Sequence, residues 1–443
     1  MIYYDGGRLV SKKENATIHR RQKLRRAGIP ATPFLWSRNP VVIGLVLILI
    51  GICCADARSI PASSALRDPK LSPSPPPAAG RPCVWTGVDK IVAVGDLHGD
   101  IKSFREILGP DGTKLIDKDD HWVGGKAHLV QTGDVMDRGD FAKDIFDLIR
   151  PLEKEAAAAG GMVHFLVGNH EEMNILGGSF RYGYVTLNQF QSFLPADYVA
   201  AKEAKFKEKA GNGGELAKLW EDLRNDSNAQ VLYTRTFNED YGAWIAEHNA
   251  VIKINDTVFL HAGFSESFST WKLETINSVL TRELKRIMND IEYGRQPSLQ
   301  STRIVYQPQG PLWHRDLVSK DEALMEEEFS RILANLGAKS MVVAHTPTQS
   351  AVSVEYMNRF GKRLFMIDTS ISSFMGMESH PSALIIEKGV FRVWPPEDRA
   401  PRSERDARDD NPSAGRKVNH EKDRSGDDVF VGHRLLWEGH PPF

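Results

Sequence analysis

Two observations predict an α/β layer fold with a helical insertion. Between Trp85 and about residue 397, short apolar and β-branched runs alternate with helix-like stretches. Five of those runs end in a loop that carries Asp, Asn or His, so the strand ends hold the candidate chemistry. The chain of 443 residues is long enough for a sizeable core with appendages. Its 26% charged residues leave a net charge of only -2, which excludes a global field that would draw in nucleic acid. Cys53 and Cys54 lie in or beside an apolar segment and Cys83 stands alone, which excludes both a disulfide scaffold and a cysteine-based zinc site.

In chain order, residues 1–57 form a basic leader followed by an apolar segment. Arg20, Arg21, Lys23, Arg25 and Arg26 precede the uncharged run from Val41 to Ala55. As a helix that run would rise about 22 Å, short of the ~30 Å hydrocarbon core, which favours a signal-peptide apolar region over a comfortable span. Ala55-Asp56-Ala57 offers a small-x-small cleavage pattern, and an uncleaved signal anchor is the rival. The expectation is entry into the secretory pathway, with the protein either lumenal or secreted after cleavage near Ala57, or held by a single pass of membrane. Residues 58–84 are interrupted by Pro61, Pro69, Pro73, Pro75, Pro76, Pro77 and Pro82 and read as an extended linker.

The folded domain is expected over 85–397. Its strand-like runs are Ile91 to Val94, His128 to Gln131, Met162 to Val167, Val251 to Leu260, Met341 to Ala344 and Leu364 to Ile367. Asp100 is placed to start a helix over Ile101 to Leu108. A Lys, Glu and Ala rich stretch at 195–235 reads as the helical insertion, and 398–443 as a charged, disordered tail. Asn225-Asp226-Ser227 and Asn255-Asp256-Thr257 are glycosylation sequons if the domain is lumenal.

Collected from the strand ends, Asp96, His98, Asp134, Asn169, His261 and His345 make an oxygen and nitrogen set suited to two divalent ions of borderline softness, manganese, iron or zinc. Asp134 would bridge them, and a water between two such ions becomes a nucleophile near neutral pH. Phosphoryl charge calls for arginine, and Arg138 and Arg315 are the candidates. A leaving oxygen calls for a proton donor. His170 follows Asn169 and fits that task, with Asp137 setting its tautomer. His121 and His128 lack a partner motif, His164 sits inside a strand-like run and His248 lies in an ordinary polar stretch, so all four read as structural or surface histidines.

Gly95-Asp96-Leu97-His98-Gly99, Gly133 to Gly139, Gly168-Asn169-His170-Glu171, His261-Ala262-Gly263 and Ala344-His345-Thr346 resemble the ordered motifs of calcineurin-like metallophosphoesterases, on the protein-phosphatase branch, across residues 88 to 395. Gly168 to Asn174, Phe180-Arg181-Tyr182 and Gly310 to Arg315 are similar to the Shewanella-like phosphatases. The resemblance implies a central two-sheet β-sandwich flanked by helices. It implies a first ion on Asp96, His98 and Asp134, and a second on Asp134, Asn169, His261 and His345. It further implies His170 as proton donor with Asp137, Arg138 and Arg315 on the phosphate, manganese as the favoured metal, and phosphoproteins as substrates. Where serine/threonine phosphatases carry a Ser-Ala-Pro-Asn-Tyr loop, this chain has Ile367 to Ser372, which leaves the phosphorylated residue open. Two alternatives stand beside this reading: hydrolysis of nucleotides or dinucleoside polyphosphates by the same centre, and a membrane-tethered pseudophosphatase that binds phosphorylated partners.

Overall fold

The computed structural model describes residues 2–5, 8–11, 81–210, 216–298, 302–348, 357–375 and 380–396. The apolar segment at 41–55, the proline-rich stretch to residue 80 and the charged tail lie outside them. Among the described residues, no helix is long and apolar enough to cross a membrane. Near the start, β1 (Ile2–Asp5) and β2 (Arg8–Ser11) pair antiparallel as a ribbon of their own.

The remaining strands are β3 (Val84–Trp85), β4 (Lys90–Val94), β5 (His128–Gln131), β6 (Met162–Phe165), β7 (Val251–Ile254), β8 (Thr257–Leu260), β9 (Ser340–Val343), β10 (Asn358–Arg359), β11 (Leu364–Met366), β12 (Ala383–Glu387) and β13 (Val390–Trp394). They build a five-stranded sheet in the order β13-β12-β4-β5-β6 and a six-stranded sheet in the order β10-β11-β9-β8-β7-β3. Ile91, Val92, Ala93 and Val94 are all buried, so β4 is covered on both faces; that is why it reads as a continuous apolar run rather than an alternating one. Phe365 of β11 stacks on Phe391 of β13 at 4.2 Å, one contact that joins the two sheets in a shared core. This is the two-sheet α/β architecture expected above.

Within the first sheet β4, β5 and β6 run parallel, and within the second β8, β9 and β11 do. Parallel strands deliver their carboxyl ends to one edge, so each sheet gathers its Asp, Asn and His loops on one side. The two edges meet closely. A side chain at Gly95 would sit 2.1 Å from the Ile367 carbonyl oxygen, so only glycine lets the β4 loop lie against the end of β11.

Several expected runs resolve differently. Val251 to Leu260 is a hairpin rather than one strand, because Asn255 adopts φ 55° and turns the chain between β7 and β8. The run from Met162 ends at Phe165. β12 and β13 escaped the reading; they are joined by Lys388 (φ 49°) and Gly389 (φ 79°), a left-handed pair suited to a tight hairpin.

Helices cover the sheets. The helix Leu273–Glu292 buries Ile276, Leu280, Leu284 and Ile287, one stripe at helical spacing. The 195–235 stretch holds the helices Ala196–Ala210 and Leu216–Arg224 and most of Ser227–Phe237. The last of these turns Ala229, Tyr233 and Phe237 inward, a spacing that lays one face on the core.

Candidate metal centre

The first two loops are stitched by backbone. The N–H groups of Leu97 and His98 both donate to the Asp134 carbonyl, at 3.0 and 2.9 Å, and Gly99 N–H donates to Val135 O at 2.8 Å. Glu171 binds the second loop to the third. Its buried carboxylate accepts the N–H groups of Asp134 (2.8 Å), Val135 (2.8 Å), Met136 (3.1 Å) and Gly168 (2.9 Å). Burial and the charge of Asp134 push its pKa up to about 7, while the N–H donors pull the other way. Gly168 is required here too, since a side chain would meet Asp134 Oδ1 at 2.3 Å.

Ring orientations follow from second contacts. His98 Nδ1 lies 2.9 Å from Met136 O and His261 Nδ1 2.9 Å from Thr132 O, so each Nδ1 carries the proton and each Nε2 presents a lone pair. Burial, then the nearby His170, drive the His98 pKa down to about 3, which keeps that lone pair free. His261 Nε2 meets Asn169 Oδ1 at 2.9 Å, His345 Nδ1 at 3.1 Å and Asp134 Oδ1 at 3.3 Å. Electron-rich atoms converging in a buried space repel one another unless a cation lies among them. Donor atoms within 4.8 Å of one another form two groups, His98 with Asp134 and His170, and Asp134 with His261 and His345. Asp134 belongs to both. The residues therefore fit a pair of divalent ions.

Asp96 stands beside these groups rather than within either. Its Oδ1 lies 3.8 Å from His261 Nδ1 and accepts the N–H of His345 at 3.3 Å. It also hydrogen-bonds Asp368, and burial together with the charges of Asp368 and Asp134 raises its pKa above the usual carboxylate range. Asp368 had no role in the reading of the sequence. The first group contains His98, Asp134 and His170.

His170 Nδ1 bonds Asp137 Oδ2 at 2.7 Å, and its Nε2 lies 3.8 Å from Asp134 Oδ2. Burial opposes a charge on this ring, but Asp134 and Asp137 outweigh it and hold His170 above the ordinary histidine value. Asp137, 0% exposed, also accepts from Ser179 Oγ (2.6 Å), Asn174 Nδ2 (2.9 Å) and Gln189 Nε2 (3.0 Å). Burial would raise its pKa; His170 first, then Ser179 and Asn174, keep it below the usual range. Arg138 lies over the Tyr184 ring at 4.6 Å, with its Nε buried and unbonded. Arg315 is half-buried and fastened to the last loop, where Nη1 donates to His345 O (3.0 Å) and Thr346 Oγ1 (3.1 Å).

The four histidines read as structural or surface residues stand elsewhere. His128 and His164 bond each other at 3.0 Å under Trp85, His248 bonds Glu153, and His121 bonds Glu155 at the surface. Asp100 caps its helix through Ser103 N–H, as expected. Its other oxygen takes the N–H (3.0 Å) and hydroxyl (2.9 Å) of Ser373, which ties the first loop to the chain after β11.

A two-sheet sandwich whose strand ends place His, Asp and Asn around a shared carboxylate defines a metal-dependent phosphoesterase. A family model described as calcineurin-like phosphoesterase matches residues 89–349, more than half of the chain. Shewanella-like protein phosphatase 1 of Plasmodium berghei (strain Anka) is 28% identical over 311 residues, covering 68% of this chain and 72% of that protein. Shewanella-like protein phosphatase 2 of Arabidopsis thaliana is 30% identical over 287 residues, covering 60% of this chain and 68% of that protein. The structure of a cold-active protein tyrosine phosphatase matches with a TM-score of 0.51 at 25% identity, covering 70% of this chain and 78% of that one. The chain belongs to the calcineurin-like phosphoesterase family and is a metal-dependent phosphatase. Within that family it falls with the Shewanella-like protein phosphatases.

Proposed function

We propose that this phosphatase hydrolyses phosphate monoesters on proteins, with two divalent ions held by Asp96, His98, Asp134, Asn169, His261 and His345. The observation that carries the reading is the His170–Asp137 pair at 2.7 Å, set beside two donor groups that share Asp134. When bound, a pair of divalent ions acidifies water to a nucleophile near neutral pH and offsets phosphoryl charge. The remaining steps belong to side chains. Arg138 and Arg315 bind and orient the phosphoryl oxygens. His170, its Nδ1 proton committed to Asp137, delivers a proton from Nε2 to the departing oxygen. Manganese is the favoured metal.

Support for phosphoproteins as substrates comes from the related Shewanella-like protein phosphatases, and the tyrosine phosphatase among the structural matches makes phosphotyrosine the first ester to try. The test is turnover by the full chain, with manganese, of phosphotyrosine, phosphoserine and phosphothreonine peptides and of dinucleoside polyphosphates. Hydrolysis confined to the polyphosphates would overturn the reading. Binding of phosphopeptides with no turnover in metal-replete buffer would make the protein a pseudophosphatase instead.

The leader supports a second proposal, translocation of the domain into the secretory pathway, with the chain either cleaved near Ala57 or left anchored in the membrane. Of the two sequons, Asn225 is exposed, whereas Asn255 is tied to Val88 by both side-chain atoms, Nδ2 to Val88 O at 2.8 Å and Oδ1 from Val88 N–H at 3.2 Å. A glycosidase-sensitive mass shift lost in Asn225→Gln would support translocation; a domain accessible to protease from the cytosol would refute it.

A further inference from the structure

The aromatic cluster beneath the 195–235 insertion contains one polar atom that packing does not explain. Tyr233, fully buried on the helix Ser227–Phe237, packs against Phe180 (5.0 Å), Phe190 (5.7 Å), Phe193 (5.9 Å) and Phe237 (6.2 Å). Phenylalanine would fill this position with the same contacts. A hydroxyl buried among such rings costs stability unless it is bonded, so its partners show what it does there.

Those partners lead to the proton donor. Tyr233 donates its hydroxyl to Asn174 Oδ1 at 2.9 Å and accepts from Gln189 Nε2 at 3.0 Å. An amide side chain has one donating and one accepting end, so fixing the oxygen fixes the nitrogen. With its oxygen held by Tyr233, Asn174 turns Nδ2 toward Asp137 Oδ1, at 2.9 Å, and also to Ser179 Oγ at 3.0 Å. Gln189 closes the ring: its Oε1 accepts the Asp137 N–H at 2.8 Å and its Nε2 donates to Asp137 Oδ1 at 3.0 Å. Flipped, the Asn174 amide would put an oxygen against the carboxylate and push Asp137 away from His170.

We infer that Tyr233 is a positioning residue for proton donation: its hydroxyl locks the Asn174 and Gln189 amides, and through them the Asp137 carboxylate that orients His170. The insertion helix thereby forms part of the catalytic framework. Fully satisfied buried networks of this kind fix one geometry where a partly satisfied one admits several.

The inference rests on His170 acting as proton donor, and the test separates the two. Donation matters most when the leaving oxygen is a poor leaving group, so turnover is measured on p-nitrophenyl phosphate, phenyl phosphate and a phosphoserine peptide. Tyr233→Phe keeps the ring and removes the hydroxyl. The expected result is kcat within about twofold of wild type on p-nitrophenyl phosphate and about tenfold lower on the poor leaving groups, a fraction of the 10²–10⁴ that a general acid supplies. A merely structural role would lower all three substrates alike and would overturn the inference. His170→Asn must show the same steepening on a larger scale. If it does and Tyr233→Phe does not, the inference fails and the proton-donor reading stands; if it does not, that reading fails with it. Should Tyr233→Phe unfold, Asn174→Ser removes the amide that the hydroxyl orients and carries the same prediction.

Discussion

Asp134 and His170 are joined directly: Asp134 Oδ1 accepts the backbone N–H of His170 at 2.9 Å. The carboxylate common to both donor groups therefore also sets the start of the helix Asn169–Leu176, from which the His170 side chain projects. Asp134→Asn keeps an oxygen for that N–H and removes the charge. The fold should survive, while bound metal falls and kcat/KM drops by about 10³ or more, several kcal/mol of transition-state stabilisation. Elemental analysis of metal per chain, beside a thermal melt, checks both halves. Unchanged activity in metal-replete buffer would refute a shared bridging carboxylate.

His170→Asn should leave metal content near wild type and lower kcat by roughly 10²–10⁴. Loss of metal in step with activity would instead make His170 a ligand, as its place in the first donor group permits.

Glu171 is the brace between loops. In Glu171→Gln one acceptor oxygen becomes an NH₂ group facing N–H donors, so part of the four-bond set of Glu171 is lost. Hydrogen bonds to charged groups contribute about 1.5–3 kcal/mol, and the melting temperature should fall by several degrees. Metal affinity should fall with it, because Asp134 loses its backbone anchor. A melt unchanged within one degree would show that the brace is dispensable.

The two arginines should separate under substitution. Arg138→Ala removes a guanidinium that packs over Tyr184 and, among the described residues, bonds none of the expected metal-holding loops through its side chain, so it should raise KM for phosphopeptides while metal binding holds. Arg315→Ala also removes the bonds to His345 O and Thr346 Oγ1, so it should weaken metal retention during dialysis as well as KM. Equal metal retention in both variants would contradict this division.

Stability should decline on the acid side for a reason remote from catalysis. Burial lowers the pKa of His128 to about 4 and that of its partner His164 well below the ordinary value. The unfolded chain, with histidines near 6.5, takes up protons first, so stability is intact above about pH 6.5 and is lost as pH falls from there toward the folded values. By pH 5 the His128 shift alone corresponds to a loss of about 2 kcal/mol, and His164 acts in the same direction. Melting curves between pH 7.5 and 5 should show a shallower acid limb in His128→Gln than in wild type.

The two-sheet fold class was legible in the sequence, and so were the strand-end residues that the structure brings together around Asp134. Each expected metal or proton-transfer residue lies shortly after a strand-like run, in a loop or, for Asn169 and His170, in the first turn of a helix, so short motifs were enough to collect them. Glu171 and Asn174 lie inside quoted motifs without a role being read for them, and Ser179, Gln189 and Tyr233 carry no motif signal. Their work depends on partners up to fifty-nine positions away, as for Tyr233 and Asn174, and the helix phase that aims Tyr233 inward is visible only against a core. In the fold, Asn255-Asp256 drew notice as a sequon when it was a turn. The Lys388-Gly389 turn was legible, but it lies in a stretch where apolar residues are not followed by a chemical motif.

His98 (φ 41°), Asp134 (φ 56°), Asp137 (φ 70°), Arg138 (φ 68°) and His345 (φ 65°) all hold left-handed backbone, a conformation that costs a side-chain-bearing residue on the order of 1 kcal/mol. Glycine would relieve that cost at each of these positions and would remove the side chain on which the proposed chemistry depends. The centre is thus held in a costly backbone shape by the bonds around it, such as those of Glu171 to the Asp134, Val135 and Met136 N–H groups.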